Sequence, residues 1–168
     1  VRILVVVVGK VRPPLEEAVL SYELRASRYW KFQVEVVDAG LGKGGGGDPE
    51  EVKRAEGERI LARVPAGFEL WLLTREGRGI SSDELADLLG DRALHASPSL
   101  ALCIGGAFGF SPEVRARGKR EISLSRMTLP HEMARLVLAE QLYRAGTILR
   151  GEPYHKGMRR TDSPPSGA

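Results

Sequence analysis

An α/β fold built on a mainly parallel sheet is predicted for this chain by three observations. Short apolar, β-branched runs alternate with amphipathic stretches along the sequence, the order in which crossover helices join parallel strands. The first run, Ile3 to Val8, is apolar without a break, as a strand covered on both faces requires. The segments between runs carry turn and helix-cap residues at the expected offsets. With 168 residues, 42% of them hydrophobic and 28% charged, the chain is long enough for one domain with a sizeable core.

Each element has its own signal. The Ile3 to Val8 strand ends at Gly9. It has only six apolar residues, between Arg2 and Lys10, too few to span a membrane and without the cleavage region of a signal peptide. Pro13 and Pro14 open a helix to about Tyr29, with Leu15, Val19, Tyr22 and Ala26 at helical spacing. Phe32 to Val37 reads as a strand, and Lys43 to Gly47 as a flexible loop. Asp48, Pro49 and Glu51 supply an N-cap, a first-turn proline and an N3 acid for a helix to Arg63. Phe68 to Leu73 is the third strand and Thr74 to Ile80 a loop. Ser81 and Glu84 form a capping box for a helix through Leu94.

Leu100 to Ile104 is the fourth strand. Ser111-Pro112-Glu113 starts a short helix that Gly118 ends, and Glu121 to Leu124 is a brief fifth strand. Pro130 begins the last helix, to about Leu149. Its apolar stripe is Met133, Val137, Leu142 and Ile148. That stripe leaves Arg135, Glu140, Arg144 and Arg150 for solvent, a partner subunit or a substrate. The domain spans 1–156, and the polar, Pro/Gly/Ser-rich tail 157–168 is predicted to be disordered.

Several chemistries are disfavoured by composition and spacing. A net charge of +3 is compatible with a polyanionic partner without demonstrating one. The single cysteine, Cys103, excludes an internal disulfide and lies in an apolar run. It reads as a small buried hydrophobe, in keeping with a reducing cytosol and a cytoplasmic protein. His95, His131 and His155 lack metal-ligand spacing, so no metal is expected. No G-x-S-x-G elbow is present.

Two loops carry the positive signal. Gly105-Gly106-x-x-Gly109 follows the fourth strand, where a glycine turn lets a ligand approach the backbone at the sheet's carboxyl edge. It is neither a dinucleotide fingerprint nor a P-loop. Ser123 to Pro130 gathers hydroxyls, amides and small apolar groups before the last helix. Each loop is also readable as a plain strand-to-helix connection.

Together IGGAFG, SLSRMTLPHEMARLVLAEQLYRA and the PYHK ending resemble the bacterial ribosomal large subunit methyltransferase H family. The resemblance extends from the VVVGK opening through EGERIL to Lys156. It implies a single SPOUT-class α/β domain with a C-terminal trefoil knot, a homodimer, and S-adenosylmethionine as methyl donor. The implied reaction is N3 methylation of a pseudouridine in helix 69 of 23S rRNA on the assembled ribosome. Carried over by position, the donor site is Leu73, Thr74, Gly105, Gly106, Ser125, Arg126, Met127, Thr128, Leu129 and Pro130. His131, Arg144, Tyr154 and Lys156 fall on the substrate side, and His155, Arg144 and Tyr154 on the catalytic positions. Thr74 stands where many relatives carry an acid.

Within that resemblance His155 is the expected general base, since a neutral imidazole is available at physiological pH. Arg144 or Lys156 would stabilise the developing anion. Arg12, Lys43, Lys53, Arg54, Arg126, Arg144 and Lys156 are the expected phosphate contacts. A non-enzymatic ribosome- or RNA-binding module and a nucleotide-binding regulator stay open as other readings.

Overall fold

The computed structural model describes residues 1–42 and 46–156. Most of the loop expected at Lys43 to Gly47, Lys43 included, and the whole of the tail 157–168 lie outside the described residues.

Five strands form one sheet: β1 (Arg2–Val8), β2 (Lys31–Val37), β3 (Glu69–Gly79), β4 (Leu100–Ile104) and β5 (Arg120–Ser123). Their order is β2-β1-β4-β3-β5 and every pairing is parallel, so all five carboxyl ends share one edge. The helices are α1 (Leu15–Ala26), α2 (Pro49–Arg63), α3 (Ser82–Leu94), α4 (Pro112–Arg117) and α5 (His131–Leu149).

Strand periodicity divides the core in two. Ile3, Val5, Val7, Leu100 and Leu102 face a layer with Ala26, Leu85, Leu89, Leu138 and Leu142, contributed by α1, α3 and α5. Leu4, Val6, Val8, Ala101 and Cys103 face the other layer, with Ile60 of α2 and Val114 of α4. Burial pushes the Cys103 thiol up, away from the reactive thiolate. Caps fix several helix starts. Asp48 accepts from Glu50 N at 3.2 Å. Ser81 and Glu84 make the reciprocal box, with Glu84 N to Ser81 Oγ at 3.1 Å and Ser81 N to Glu84 Oε2 at 2.7 Å.

The third strand departs from expectation. Thr74 to Ile80 is not simply a loop, because β3 continues to Gly79. Leu73 and Arg78 both stand opposite Ile122, so residues 74–77 bulge out of the ladder before pairing resumes with Gly79 opposite Ser123. Gly77 makes the return possible: a Cβ there would lie 2.7 Å from the backbone carbon of Ile122.

The last helix also differs. Pro130 sits at the N-cap rather than in the first turn. Met133 and Val137 are only half-buried, and Arg135, expected outside, is buried. Its guanidinium grips Glu23 of α1, with Nε to Oε1 at 2.7 Å and Nη2 to Oε2 at 3.1 Å. A two-pronged pair of this kind satisfies both charges where solvent cannot. It ties α1 to α5 across 112 residues of sequence.

Candidate functional site

Strand ends and two loops enclose a cavity of about 770 Å³ at the carboxyl edge of β3, β4 and β5. That edge is where parallel α/β sheets hold ligands. Leu73 and Thr74 come from β3, Ile104 to Phe110 from the glycine turn, Leu124, Ser125 and Met127 to Pro130 from the second loop, and His131 and Ala134 from the start of α5. Of the ten residues expected at the donor site, all but Arg126 line this one cavity. Arg126 is exposed and lies outside the lining.

The glycine turn is pinned from within. Gly109 N donates to Gly106 O at 3.1 Å, and Gly109 has φ +82°, a conformation that favours glycine. Phe110 is 5% exposed and packs under Gly105, where a Cβ would approach its ring at 3.0 Å. Behind Gly106 stands Glu56 of α2, 3% exposed. Its Oε1 accepts from Gly40 N at 2.8 Å, and its Oε2 would lie 2.5 Å from a Cβ on Gly106. Sequence reasoning missed Glu56 as a site residue, although it opens the EGERIL stretch that supports the resemblance.

The second loop is held by its own hydroxyls and by β3. Ser123 Oγ donates to Ser125 O at 2.8 Å, and Ser125 Oγ accepts from Met127 N at 3.0 Å. Arg75 Nη1 donates to Thr128 Oγ1 at 2.9 Å, fastening the β3 bulge to the loop. Thr74 Oγ1 donates to Glu121 Oε2 at 3.1 Å. A carboxylate therefore stands beside Thr74, but β5 supplies it. The two arginines of the lining already have carboxylate partners, Arg75 with Glu76 and Arg115 with Glu121. His131 forms part of the wall, its Nε2 3.2 Å from Lys10 O.

Arg144, Tyr154 and His155 meet elsewhere, outside the cavity lining. Arg144 Nε donates to Glu140 Oε1 at 3.0 Å, and Tyr154 Oη donates to the same oxygen at 3.0 Å. The Arg144 guanidinium lies 4.8 Å from the Tyr154 ring centre. Its Nη1 is 3.2 Å from His155 Nδ1, which fixes Nδ1 as the acceptor and places the ring proton on Nε2. Nε2 faces Asp83 Oδ1 of α3 at 3.6 Å. Glu140 and Arg144 are thus spent on each other and on Tyr154 and His155 rather than left for solvent. The hydrogen bond to Glu140 raises the Arg144 pKa. Burial, followed by hydrogen bonds with Tyr22 and Glu140, raises that of Tyr154. Lys156 is exposed.

Among the described residues no group of three or more His, Cys, Asp or Glu side chains is placed to hold a metal. No described helix is long and apolar enough to cross a membrane.

Comparison with known proteins places the chain in a family. Residues 1–155 match a family model described as "Predicted SPOUT methyltransferase". A ribosomal RNA large subunit methyltransferase H from Syntrophotalea carbinolica is 47% identical over 141 residues, covering 84% of this chain and 89% of the relative. A protein of the same name from Gemmatimonas aurantiaca is 42% identical, covering 92% of this chain and 99% of the relative. Another from Clostridium novyi is 39% identical with the same coverage.

Proposed function

Because the chain belongs to the SPOUT methyltransferase family, we propose that it transfers the methyl group of S-adenosylmethionine to ribosomal RNA of the large subunit. The observation that carries this reading is the convergence of both loops on one cavity at the sheet's carboxyl edge. The finer proposal follows the resemblance alone. The acceptor is N3 of a pseudouridine in helix 69 of 23S rRNA, reached on the assembled cytoplasmic ribosome by a homodimer whose C-terminal segment is knotted.

The lining fits the donor. Backbone groups of the glycine turn and of the second loop meet polar edges, and Leu73, Ile104, Leu124 and Leu129 cover apolar surface. Gly106 lies hard against Glu56, leaving the turn no room for a side chain on that side. Pairing of Arg75 and Arg115 with carboxylates suits a sulfonium better than a triphosphate. When bound, S-adenosylmethionine supplies an electrophilic methyl group. Binding and orientation are then the main tasks left to the chain, because an in-line displacement needs little covalent help.

Arg144, Tyr154, His155 and Lys156 belong to the acceptor side in this reading. They do not line the cavity of their own chain, which supports their delivery to a second subunit's cavity in the homodimer. With Nδ1 of His155 held by Arg144 and Nε2 facing Asp83, His155 can take the N3 proton only once the Arg144 contact opens. While it holds, Arg144 is the group suited to stabilise negative charge on the acceptor ring.

Calorimetric titration with S-adenosylmethionine, S-adenosylhomocysteine and ATP, paired with mass mapping of 23S rRNA from a deletion strain, tests the reading. Saturable binding of the first two but not ATP, and loss of one methyl on a pseudouridine, are expected. RNA binding without donor affinity would favour a non-enzymatic module, and preference for ATP a nucleotide-binding regulator.

A further inference from the structure

Two phenylalanines of the glycine turn have opposite environments. Phe110 is 5% exposed and packs in the core, whereas Phe108, two residues earlier, is 51% exposed although it lines the cavity. The turn that carries Phe108 is closed by the Gly106–Gly109 bridge and anchored by Phe110, so its ring is presented from a fixed base. Met127, 77% exposed, lines the same cavity from the second loop. The deeper apolar lining comes instead from strand ends, at Leu73 and Ile104. A cavity of about 770 Å³ is in the upper part of the usual range, about 300–1,000 Å³, with room for an acceptor ring beside the donor.

We infer that Phe108 is the stacking platform for the acceptor base, a planar uracil-type ring entering the mouth of the cavity, with Met127 against its outer edge. The inference rests on the methyltransferase reading. A base presented to a buried reactive centre leaves its own stack and needs a replacement face. An aromatic ring supplies that face without regard to hydrogen-bond pattern. The donor meets the glycine backbone and the strand ends, so Phe108 is a positioning residue for RNA and contributes little to donor affinity.

The test compares Phe108→Ala, Phe108→Leu and Phe108→Tyr with the wild-type full-length chain, using ribosomes lacking the modification as substrate. Donor affinity is measured by calorimetry with S-adenosylhomocysteine. Methylation kcat/KM should fall by about 10- to 100-fold in Phe108→Ala and Phe108→Leu. It should stay within a few-fold of wild type in Phe108→Tyr, and all four proteins should bind S-adenosylhomocysteine alike. Wild-type kcat/KM in Phe108→Leu, or a loss of S-adenosylhomocysteine affinity that matches the loss of activity, would overturn the inference alone. A wild-type chain that binds the ligand but methylates no ribosome would overturn the functional reading, and the platform with it.

Discussion

The first turn of α5 borders a cavity made of backbone groups and apolar side chains, whereas its last turns carry a polar cluster in which Glu140, Arg144, Tyr154 and His155 engage one another. Polar side chains around the cavity are paired with one another or with backbone, as Thr74 is with Glu121, Thr128 with Arg75 and Ser125 with Met127 N. The cluster is held together by Arg144, but His155 Nε2 and Asp83 Oδ1, buried and 3.6 Å apart, make no hydrogen bond. Buried polar atoms left unmet are costly, so the cluster has hydrogen-bonding capacity still to satisfy. Cavity and cluster stay apart within one chain, and the proposed dimer would bring them together.

The strongest test of that contrast lies between two arginines of the same helix. Arg135 and Arg144 each hold a glutamate, but the side chain of Arg135 is 8% exposed and that of Arg144 is 25% exposed. Arg135→Ala would leave Glu23 charged and buried, and should cost about 3–5 kcal/mol in urea unfolding. Arg144→Ala should cost only about 1 kcal/mol, because solvent reaches its partner. Equal losses would show that burial does not separate the two ends of the helix.

The same pair marks what the sequence could not reveal. Spacing along α5 places Leu142 and Ile148 inside, and both are. It cannot bring Glu23 to Arg135, since their contact depends on how α1 packs. The continuation of β3 to Gly79 was hidden for a related reason: its pairing with β5 is set by a partner strand more than 40 residues away. By contrast, the two loops that wall the cavity were legible in the residues, and the resemblance supplied the individual positions. The cavity's walls are loops that directly follow strands, and parallel topology sends all such loops to one edge. Glu56 and Glu121 reach that edge through space, from a helix behind the glycine turn and from a neighbouring strand, so no local pattern announces them. Arg144, Tyr154 and His155, expected on one side of the site, lie together, yet Asp83 reaches them only through the position of α3 beside His155.

The next test acts on the cavity and should leave the cluster alone. Gly106→Ala would press a methyl group onto the Glu56 carboxylate, which is buried and held by Gly40. Overpacking of this kind costs about 1–3 kcal/mol. Because the strain falls on the turn, it should appear as about a 5- to 100-fold weaker S-adenosylhomocysteine affinity in calorimetry. The Arg144→Ala variant should bind S-adenosylhomocysteine as wild type does. If both substitutions weaken binding alike, cavity and cluster are one site within the chain, and the division drawn above fails.

The smallest effect concerns how the segment after α5 is held at Glu152. Tyr29 of the α1–β2 connection donates to Glu152, and its ring lies 5.9 Å from that of Tyr143, which in turn lies 4.6 Å from Tyr154. Burial, together with the Glu152 carboxylate, pushes the Tyr29 phenol up to about 12 from an ordinary value of 10.0. The folded state therefore holds this proton more tightly than the unfolded chain, whose phenol titrates near about 10. The stabilisation is fully present below about pH 10 and is lost as pH rises through about 12. Chemical unfolding of wild type and Tyr29→Phe should show a gap that is constant from neutral pH to about 9 and narrows above about 10. A gap that holds its width at pH 11 would mean that the phenol does not donate to Glu152, and that Tyr154 and His155 are held by Glu140 and Arg144 without it.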